Sequence, residues 1–218
     1  YNKCGGVLIH HNWVITAAHC NSGLFGSLQV ILGEHDLKTE EIVANGNSFV
    51  ESELVIRKVK RIIVHPKYQP NTLENDLALI ELDGSVQFER HIQPICLPER
   101  GDQFIDAEAY VSGWGLLSYE NRTFPEALQI VKVPIMSNEE CKRNYKTARQ
   151  KIVFRNTILC AGYAIGGKDS CKGDSGGPLA VFDGNKWILA GIVSNGVECA
   201  KPNLPGIYTR ISEYSNWI

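Results

Sequence analysis

Short apolar segments recur along the chain between clusters of Gly, Pro, Asn and Asp. They are rich in Val, Ile, Tyr and Trp, the residue types that favour strands. The segments predicted as strands are 7–10, 13–17, 28–32, 58–64, 78–82, 109–114, 129–135, 187–193 and 206–211. Many short strands between turns are typical of an antiparallel all-β protein.

Few segments depart from this pattern. Ser137 precedes N-E-E-C-K-R-N-Y in the position of a helix cap, and a second helix is predicted from Ser212 to Ile218. The Pro-containing stretch from Gln93 to Gln103 is the predicted connection between two β units. The sequence contains no repeat and no low-complexity segment.

Composition narrows the class of protein. The chain has 218 residues, 44% hydrophobic and 21% charged, which suffices for one large or two small domains. A net charge of −2 without a long basic run gives no electrostatic footprint for nucleic acid or an anionic membrane. No apolar run is long enough to span a bilayer, and the opening Y-N-K-C has no signal-peptide pattern. We therefore expect a soluble protein without nucleic-acid or membrane partners.

The seven cysteines indicate disulfides. None has C-x-x-C spacing and no H-E-x-x-H occurs, which argues against zinc and against a redox motif. Disulfides imply an oxidising compartment. Because seven is odd, at least one cysteine is free or pairs outside this chain. N-R-T at 121–123 fits a glycosylation acceptor at Asn121, although such triplets also arise by chance.

The run C-K-G-D-S-G-G-P-L at 171–179 surrounds Ser175 with glycines. A serine hydroxyl becomes a nucleophile only beside a base, and glycine-rich backbone suits N–H groups that bind an oxygen. The candidate base is His19, which ends an apolar strand in T-A-A-H-C. The candidate carboxylate is Asp76 in N-D-L-A-L-I, which either orients the imidazole or simply starts a strand. The histidines expected to be solvated surface residues are His10, His11, His35, His65 and His91.

The motifs T-A-A-H-C, N-D-L-A-L-I and G-D-S-G-G-P-L, in this order, resemble the chymotrypsin/trypsin family of serine proteases. The resemblance covers nearly the whole chain through C-G-G-V-L-I, V-S-G-W-G and P-G-I-Y-T-R-I. It implies an all-β fold of two six-stranded antiparallel β-barrels, with the active site between them and a short C-terminal helix. The implied domains are 1–92 (first barrel, without its N-terminal segment), 93–104 (connection) and 105–218 (second barrel and helix).

The resemblance also implies roles for single residues. His19, Asp76 and Ser175 match the catalytic triad, and the N–H groups of Gly173 and Ser175 match the oxyanion hole. Asp174 matches the partner of the new amino terminus that activation cleavage creates. The alternative for Asp174 is a solvated turn aspartate.

Asp169 matches the base of the primary substrate pocket, where a buried carboxylate pairs with a Lys or Arg side chain. The further substrate-binding residues implied by the resemblance are Ser170, Lys172, Ser194, Gly196 and Gly206. Trypsin-like specificity is therefore expected, and Asp169 disfavours a chymotrypsin-like or elastase-like pocket.

The resemblance pairs the cysteines as Cys4–Cys20, Cys141–Cys160 and Cys171–Cys199. Cys96 in P-I-C-L-P is left over. In family members with a regulatory amino-terminal region, the cysteine in this setting forms a disulfide to that region. The alternative is a buried free thiol.

The sequence departs from the family in three places. It begins at Tyr1, past the family's I-V-G-G type terminus, so the activation state is not readable. In the long segment from Glu34 to Arg61, Glu34 matches one ligand of trypsin's calcium loop, but the insertion shifts the others. Both a calcium ion and solvated acids therefore remain open. Asn195 replaces the usual tryptophan, and Pro205 matches the branch without a sodium site.

The sequence thus predicts a secreted, extracellular serine endopeptidase that cleaves after Arg or Lys, synthesised as a zymogen and acting in a proteolytic cascade. The implied partners are a protein substrate, protein inhibitors such as serpins, and a regulatory chain held through Cys96. The alternative is a catalytically silent homologue that serves as a binding module. The intact His19, Asp76 and Ser175 argue against it, whereas Asn195 and the absent terminus leave it open.

Overall fold

The first half of the chain forms an antiparallel five-stranded sheet. The computed structural model describes residues 4–21, 23, 28–38 and 54–218. Within these residues the sheet consists of β1 (Val7–His10), β2 (Trp13–Thr16), β3 (Gln29–Leu32), β4 (Val55–Val64) and β5 (Ala78–Leu82). The strand order is β1-β2-β5-β4-β3, and each neighbouring pair is antiparallel.

The sequence pattern of β4 determines which face of this sheet is solvated. Ile56, Lys58 and Lys60 are exposed, while the alternate residues Val55 and Val59 are partly buried. This is the period of two that directs successive side chains to opposite faces. The buried face packs on a core that contains Leu8, Val14, Ile80, Leu82, Val86 and Ile92.

The second half forms a closed six-stranded barrel. Its strands are β6 (Glu108–Gly113), β7 (Gln129–Met136), β8 (Ile158–Ala161), β9 (Pro178–Phe182), β10 (Trp187–Asn195) and β11 (Gly206–Arg210). Around the barrel the order is β10-β11-β8-β7-β6-β9. Closure pairs both edges of the sheet, and the core includes Val111, Val133, Leu159, Leu179 and Tyr208.

The helix α1 (Asn138–Thr147) begins where the sequence predicts it. Ser137 Oγ accepts a 3.1 Å hydrogen bond from Glu140 N, which satisfies a free N–H of the first turn. At the C-terminus a 3₁₀ helix covers Ile211–Tyr214, which is shorter than the predicted helix over 212–218. The tighter turn buries Ile211, Ser212 and Tyr214 together.

The connecting segment lies against the second barrel. Arg210 Nη1 donates a 3.1 Å hydrogen bond to Gln103 O, and Ser212 Oγ donates one of 2.6 Å to Asp102 O. Nearer the start of the segment, Cys96 O accepts a 2.9 Å hydrogen bond from Leu189 N. The segment is therefore attached to the barrel by both backbone and side-chain bonds.

A core shared by the two halves lies between them. One buried cluster combines residues of both: Val7, Ile15, Ala17, Leu77, Leu79, Leu189, Ile192, Ile211 and Tyr214. Ala17 and Leu77 are each 0% exposed in this cluster. Because they lie next to His19 and Asp76 in sequence, the cluster brings these two candidate residues to the junction.

The predicted all-β class is confirmed, and each predicted strand segment overlaps an observed strand. Two strands, β8 and β9, were not predicted: β8 (I-L-C-A) contains a single β-branched residue, and β9 begins at Pro178. Within the described residues the first half forms a five-stranded sheet and the second half a closed six-stranded barrel. The boundaries 1–92, 93–104 and 105–218 stay a prediction. Residues 39–53 of the insertion lie outside the described residues. Among the described residues, no helix has the length and apolar character needed to cross a membrane.

Candidate active site

His19 follows β2 in a short 3₁₀ turn that covers Ala18–Cys20. Ala17 and Ala18 are 0% and 2% exposed, and their small side chains let the turn pack directly on the core. The His19 side chain remains 26% exposed. Its ring can therefore contact a buried residue on one side and a bound molecule on the other.

Asp76, which lies before β5, is the buried partner of His19 and is 0% exposed. Its Oδ1 accepts a 2.8 Å hydrogen bond from His19 N. Its Oδ2 accepts bonds of 2.7 Å from His19 Nδ1 and 2.6 Å from Ser194 Oγ. These donors offset the desolvation of a buried carboxylate. Because Nδ1 donates to Asp76, Nε2 of the same ring is left as a proton acceptor.

Ser175 lies in a turn that packs against the first half of the chain. Its carbonyl oxygen accepts a 2.7 Å hydrogen bond from Gly5 N and lies 3.7 Å from the disulfide-bonded Cys20 Sγ. A Cβ at Gly176 would lie 2.2 Å from Thr16 Oγ1, so this close approach requires glycine. The turn brings Ser175 to the residue that follows His19. Within the described residues no hydrogen bond joins Ser175 Oγ to the imidazole.

The backbone at Gly173 has a φ of +103°, a conformation that favours glycine. A Cβ at this position would lie 3.0 Å from Gly115 Cα. In the described part of the chain, neither the Gly173 N–H nor the Ser175 N–H donates a hydrogen bond to the protein. Both groups are available to a bound oxygen, as stabilisation of an oxyanion requires.

Asp169 lies in the segment before Ser175, and its carboxylate accepts two backbone hydrogen bonds. Ser170 N donates to Oδ1 at 2.8 Å and Ala200 N donates to Oδ2 at 3.0 Å. Burial raises the pKa of the Asp169 carboxyl to about 7, against the opposing effect of these N–H donors. A Cβ at Gly206 would lie 2.6 Å from Oδ1, so glycine keeps the space beside the carboxylate open.

Tyrosine hydroxyls fix the surroundings of Asp169. Tyr208 OH donates a 3.3 Å hydrogen bond to the buried Ser170 Oγ. Tyr145 OH donates one of 2.7 Å to Pro205 O, next to Gly206. Burial raises the pKa of both phenols, so each tyrosine stays neutral and donates its hydrogen bond.

The remaining predicted substrate-binding residues have different environments. Ser194 is 6% exposed and contacts Asp76, whereas Gly196 is exposed. Lys172 is also exposed, and its Nζ lies 5.1 Å from the centroid of the Tyr119 ring. Lys172 therefore presents a cation at the surface beside Gly173.

Asp174 faces away from solvent into a cage of glycines. Its Oδ1 accepts a 2.8 Å hydrogen bond from Gly115 N, and its Oδ2 accepts one of 2.8 Å from Cys171 N. A Cβ at Gly113 would lie 2.1 Å from Oδ1. Burial raises the pKa of Asp174, and the two N–H donors lower it. Asp174 is thus a half-buried carboxylate, which is incompatible with the solvated turn aspartate of the alternative.

A cavity of about 470 Å³ is lined by both Asp169 and Asp174, together with Gly113, Gly115 and Lys168. Across the residues that the structure describes, no Lys or Arg forms an ion pair with either aspartate. The cavity therefore contains two acidic groups without a cationic partner from the described chain.

The disulfides are Cys4–Cys20, Cys141–Cys160 and Cys171–Cys199, the pairs that the resemblance implied. The first lies beside His19, and the third links the segment of Asp169 to the segment of Gly196. Cys96 is free and exposed, so the alternative of a buried thiol is wrong. Cys4, His19 and Cys20 lie close enough to resemble a metal site, but both cysteines are consumed by their disulfide.

Two histidines differ from the expectation of solvated surface residues. His11 is half-buried, stacks on Phe88 at 3.8 Å and has its Nδ1 2.7 Å from Val86 O. His65 makes edge contacts with Tyr214 and Trp217, and burial lowers its pKa. Aromatic partners distant in sequence bury both rings, and a local sequence pattern does not reveal them.

The surface residues singled out in the sequence lie in loops. Asn121 is exposed, and its N–H donates a 3.2 Å hydrogen bond to Ser118 Oγ. Glu34 Oε1 accepts a 2.9 Å hydrogen bond from His35 N. The segment that would supply further calcium ligands includes residues 39–53, which lie outside the described residues.

Three residues of the site were not found from the sequence. Thr209 Oγ1 donates a 2.9 Å hydrogen bond to Asp76 O, and Tyr214 OH donates one of 3.0 Å to Asn75 Oδ1. The available signal for Thr209 was a single threonine within the apolar strand G-I-Y-T-R-I. Asn75 gave the weaker signal of an asparagine directly before the candidate carboxylate.

Comparison with known proteins identifies the class. The profile of the Trypsin family matches residues 1–218. The whole chain is 48% identical to serine protease filzig and 44% identical to serine proteinase stubble, both of Drosophila melanogaster. It is 40% identical to Trypsin II-P29 of Gallus gallus, of which it covers 79%.

These relatives are serine proteases and trypsins. The chain belongs to the trypsin family, which confirms the resemblance seen in its motifs. It spans only 12% of filzig and 27% of stubble.

Proposed function

We propose that the chain is the protease domain of a secreted endopeptidase that cleaves proteins after Arg or Lys. The observation that carries this specificity is Asp169, whose carboxylate is held by two backbone N–H groups beside the open space at Gly206. A long cationic side chain entering this space would pair with the carboxylate. An apolar side chain would leave the charge buried and unpaired, which disfavours such substrates.

The proposed chemistry is acyl transfer to Ser175. Ser175 Oγ attacks the carbonyl carbon of the Arg or Lys residue, while His19 Nε2 accepts the hydroxyl proton. Asp76, bound to His19 Nδ1 at 2.7 Å, holds the ring and stabilises the imidazolium that forms. His19 then gives the proton to the leaving amine as the C–N bond breaks. A water molecule, deprotonated by His19, then attacks the acyl carbon, and His19 returns the proton to Ser175 Oγ as the ester bond breaks.

The free N–H groups of Gly173 and Ser175 are proposed to bind the oxyanion of the tetrahedral intermediate. Removing one such donor typically lowers kcat by ~10²–10³. The +103° φ of Gly173 supports this role, because a residue with a Cβ would not readily keep its N–H in the same direction.

Asp174 is proposed to bind the amino terminus that activation cleavage creates. The 470 Å³ cavity that Asp174 lines offers space for this terminus, and the buried carboxylate has no other cationic partner in the described chain. An ammonium group there would offset the desolvation of Asp174. Zymogen activation would then order the oxyanion hole and the primary pocket together.

Three disulfides support secretion, since such bonds persist in oxidising compartments. The exposed thiol of Cys96 is proposed to form a disulfide with a regulatory chain of the same precursor. That link is the main support for a role in a proteolytic cascade. Protein inhibitors such as serpins and a glycan on Asn121 belong to the same proposal.

The test uses the activated full-length protein, with its new amino terminus determined by sequencing. A fluorophosphonate should label Ser175, and peptides cleaved after Arg or Lys should be turned over far faster than those with Phe or Ala. Asp169→Ser should lower kcat/KM for Arg peptides without abolishing labelling, and Ser175→Ala should abolish both. Equal turnover of Phe peptides contradicts the specificity. Absence of labelling supports the silent homologue instead.

A further inference from the structure

A hydrogen bond joins the C-terminal 3₁₀ helix to the residue before the candidate catalytic carboxylate. Tyr214 OH donates it to Asn75 Oδ1 at 3.0 Å, across 139 positions of sequence. Tyr214 is 4% exposed and packs in the cluster shared by the two halves. Burial and the nearby carboxylates raise the pKa of Tyr214, so the phenol is a neutral donor.

The Asn75 side chain is fixed at both of its polar atoms. Its Nδ2 donates a 2.9 Å hydrogen bond to Lys67 O, which leaves Oδ1 as the acceptor for Tyr214. The residue has a φ of +53°, in the left-handed region. Asparagine is among the non-glycine residues that enter this region most readily. Both side-chain bonds therefore stabilise an unfavourable backbone conformation.

The conformation of Asn75 determines the direction of Asp76. Leu77 N donates a 2.8 Å hydrogen bond to Asn75 O, which closes a tight turn with Asp76 at its centre. Rotation of the Asn75 backbone would open this turn. The Asp76 carboxylate would then move relative to His19, to which it is bound at 2.7 Å.

We propose that Tyr214 is a positioning residue for catalysis, which acts through Asn75 on the orientation of Asp76. The inference rests on the proposed function, because it assumes that Asp76 orients His19 during the reaction. Ser194 and Thr209 hold Asp76 directly from the second half. Tyr214 adds a third hydroxyl that acts one residue earlier.

The test compares Tyr214→Phe with the wild type in the activated full-length protein. The variant keeps the aromatic ring in the shared core and removes only the hydroxyl. With an Arg p-nitroanilide, kcat should fall about five- to tenfold with little change in KM, since one buried hydrogen bond is lost. The inhibition constant of benzamidine should not change, because the Asp169 pocket is untouched.

The pH dependence of kcat/KM separates a positioning role from a purely structural one, because loss of stability alone would not shift it. A displaced Asp76 stabilises the His19 imidazolium less, so the acidic limb of kcat/KM should shift to lower pH. The titratable groups around this contact are His19, His65, Lys67, Tyr68, Glu74, Asp76 and Glu213. The NMR signal of the proton between His19 Nδ1 and Asp76 should shift in the same variant, whether or not a substrate is turned over.

Two controls separate positioning from stability. Tyr214 OH also contacts the Thr157 side chain, so Thr157→Val removes that contact and leaves Asn75 bound. Ser212→Ala removes a 2.6 Å hydrogen bond from the same helix to Asp102 O. Both variants should keep the wild-type kcat and pH profile.

Asn75→Gly removes the other partner of the same hydrogen bond. Glycine adopts the left-handed conformation but lacks the side-chain amide. It should reproduce the lower kcat of Tyr214→Phe. Unchanged kcat, pH limb and proton signal in Tyr214→Phe would overturn the inference. A wild-type protein that neither cleaves Arg substrates nor is labelled contradicts the proposed function instead.

Discussion

Ser194 Oγ donates a 2.6 Å hydrogen bond to Asp76 Oδ2, the same oxygen that accepts from His19 Nδ1. Ser194 belongs to β10 of the second half, and Asp76 lies just before β5 of the first. One carboxylate oxygen therefore joins the candidate base to both halves of the chain. Its orientation depends on how these halves pack.

Removal of the Ser194 hydroxyl should impair catalysis while the pocket stays intact. We expect Ser194→Ala to lower kcat about tenfold, because the buried Asp76 carboxylate loses a short donor whose contribution is about 1.5–3 kcal/mol. Steady-state kinetics on an Arg p-nitroanilide measures the effect. Ser215→Ala, which removes a 3.1 Å bond to Ser212 O, is the matched control and should behave as wild type. Equal kcat values in the two variants would contradict the prediction.

The pKa of Asp169 predicts how cation binding depends on pH. Because burial raises this pKa to about 7, the carboxyl of the empty pocket is protonated below that value and ionised above it. Benzamidine, which stays cationic throughout, should therefore bind more weakly as the pH falls, by ~tenfold per unit well below pH 7. Calorimetric titration between pH 5 and 9 checks this.

Asp169→Asn provides the control for that titration. The amide does not ionise, so benzamidine should bind weakly and with little dependence on pH. A wild-type affinity that is flat from pH 5 to 9 would show that Asp169 is ionised throughout.

The exposed thiol of Cys96 should be found in a disulfide to a peptide outside residues 1–218. Peptide masses of the activated full-length protein, compared with and without reductant, identify the linked peptide. Cys96→Ser should release that chain after activation and leave cleavage of small Arg substrates unchanged. Recovery of Cys96 as a free thiol in the activated protein argues against a tethered regulatory chain.

Asn195 is exposed at the end of β10, where the family usually has tryptophan. An aromatic face there would bury apolar substrate residues upstream of the cut, a contribution of about 1–3 kcal/mol. We expect Asn195→Trp to raise kcat/KM for short Arg peptides with apolar upstream residues, and to affect the natural protein substrate much less. Side-by-side kinetics on such a peptide decides the matter. An unchanged or lower value, with the fold intact, would contradict this account of Asn195.

The sequence predicted strands well where short apolar runs lie between turn residues, as in β5 and β10. It missed β8, whose residues I-L-C-A include only one β-branched side chain. It also missed β9, because Pro178 interrupts the strand pattern at its first residue. The C-terminal helix was overestimated because burial of Tyr214 against both halves, which a local pattern does not contain, favours a tighter turn.

The residues of the candidate site that lie in short motifs were predictable from the sequence. Those that join the site through tertiary contacts were not. His19, Asp76 and Ser175 each lie in a recognisable short motif. The contact between Tyr214 and Asn75 spans 139 positions, and neither residue has an unusual local pattern. The raised pKa of Asp169 was likewise invisible, because it depends on burial beside Gly206 and Ala200.

The shared cluster at the junction also bears on how the protein would digest itself as it unfolds. Asp76 is held by Ser194 and Thr209 only while the second half packs against the first. A molecule that loosens at this junction would therefore lose these two donors to Asp76, and with them the proposed hydrolytic activity. Native molecules would then cut partly denatured ones, whereas partly denatured molecules would cut nothing. Autolysis in a heated sample should consequently slow as the native fraction declines.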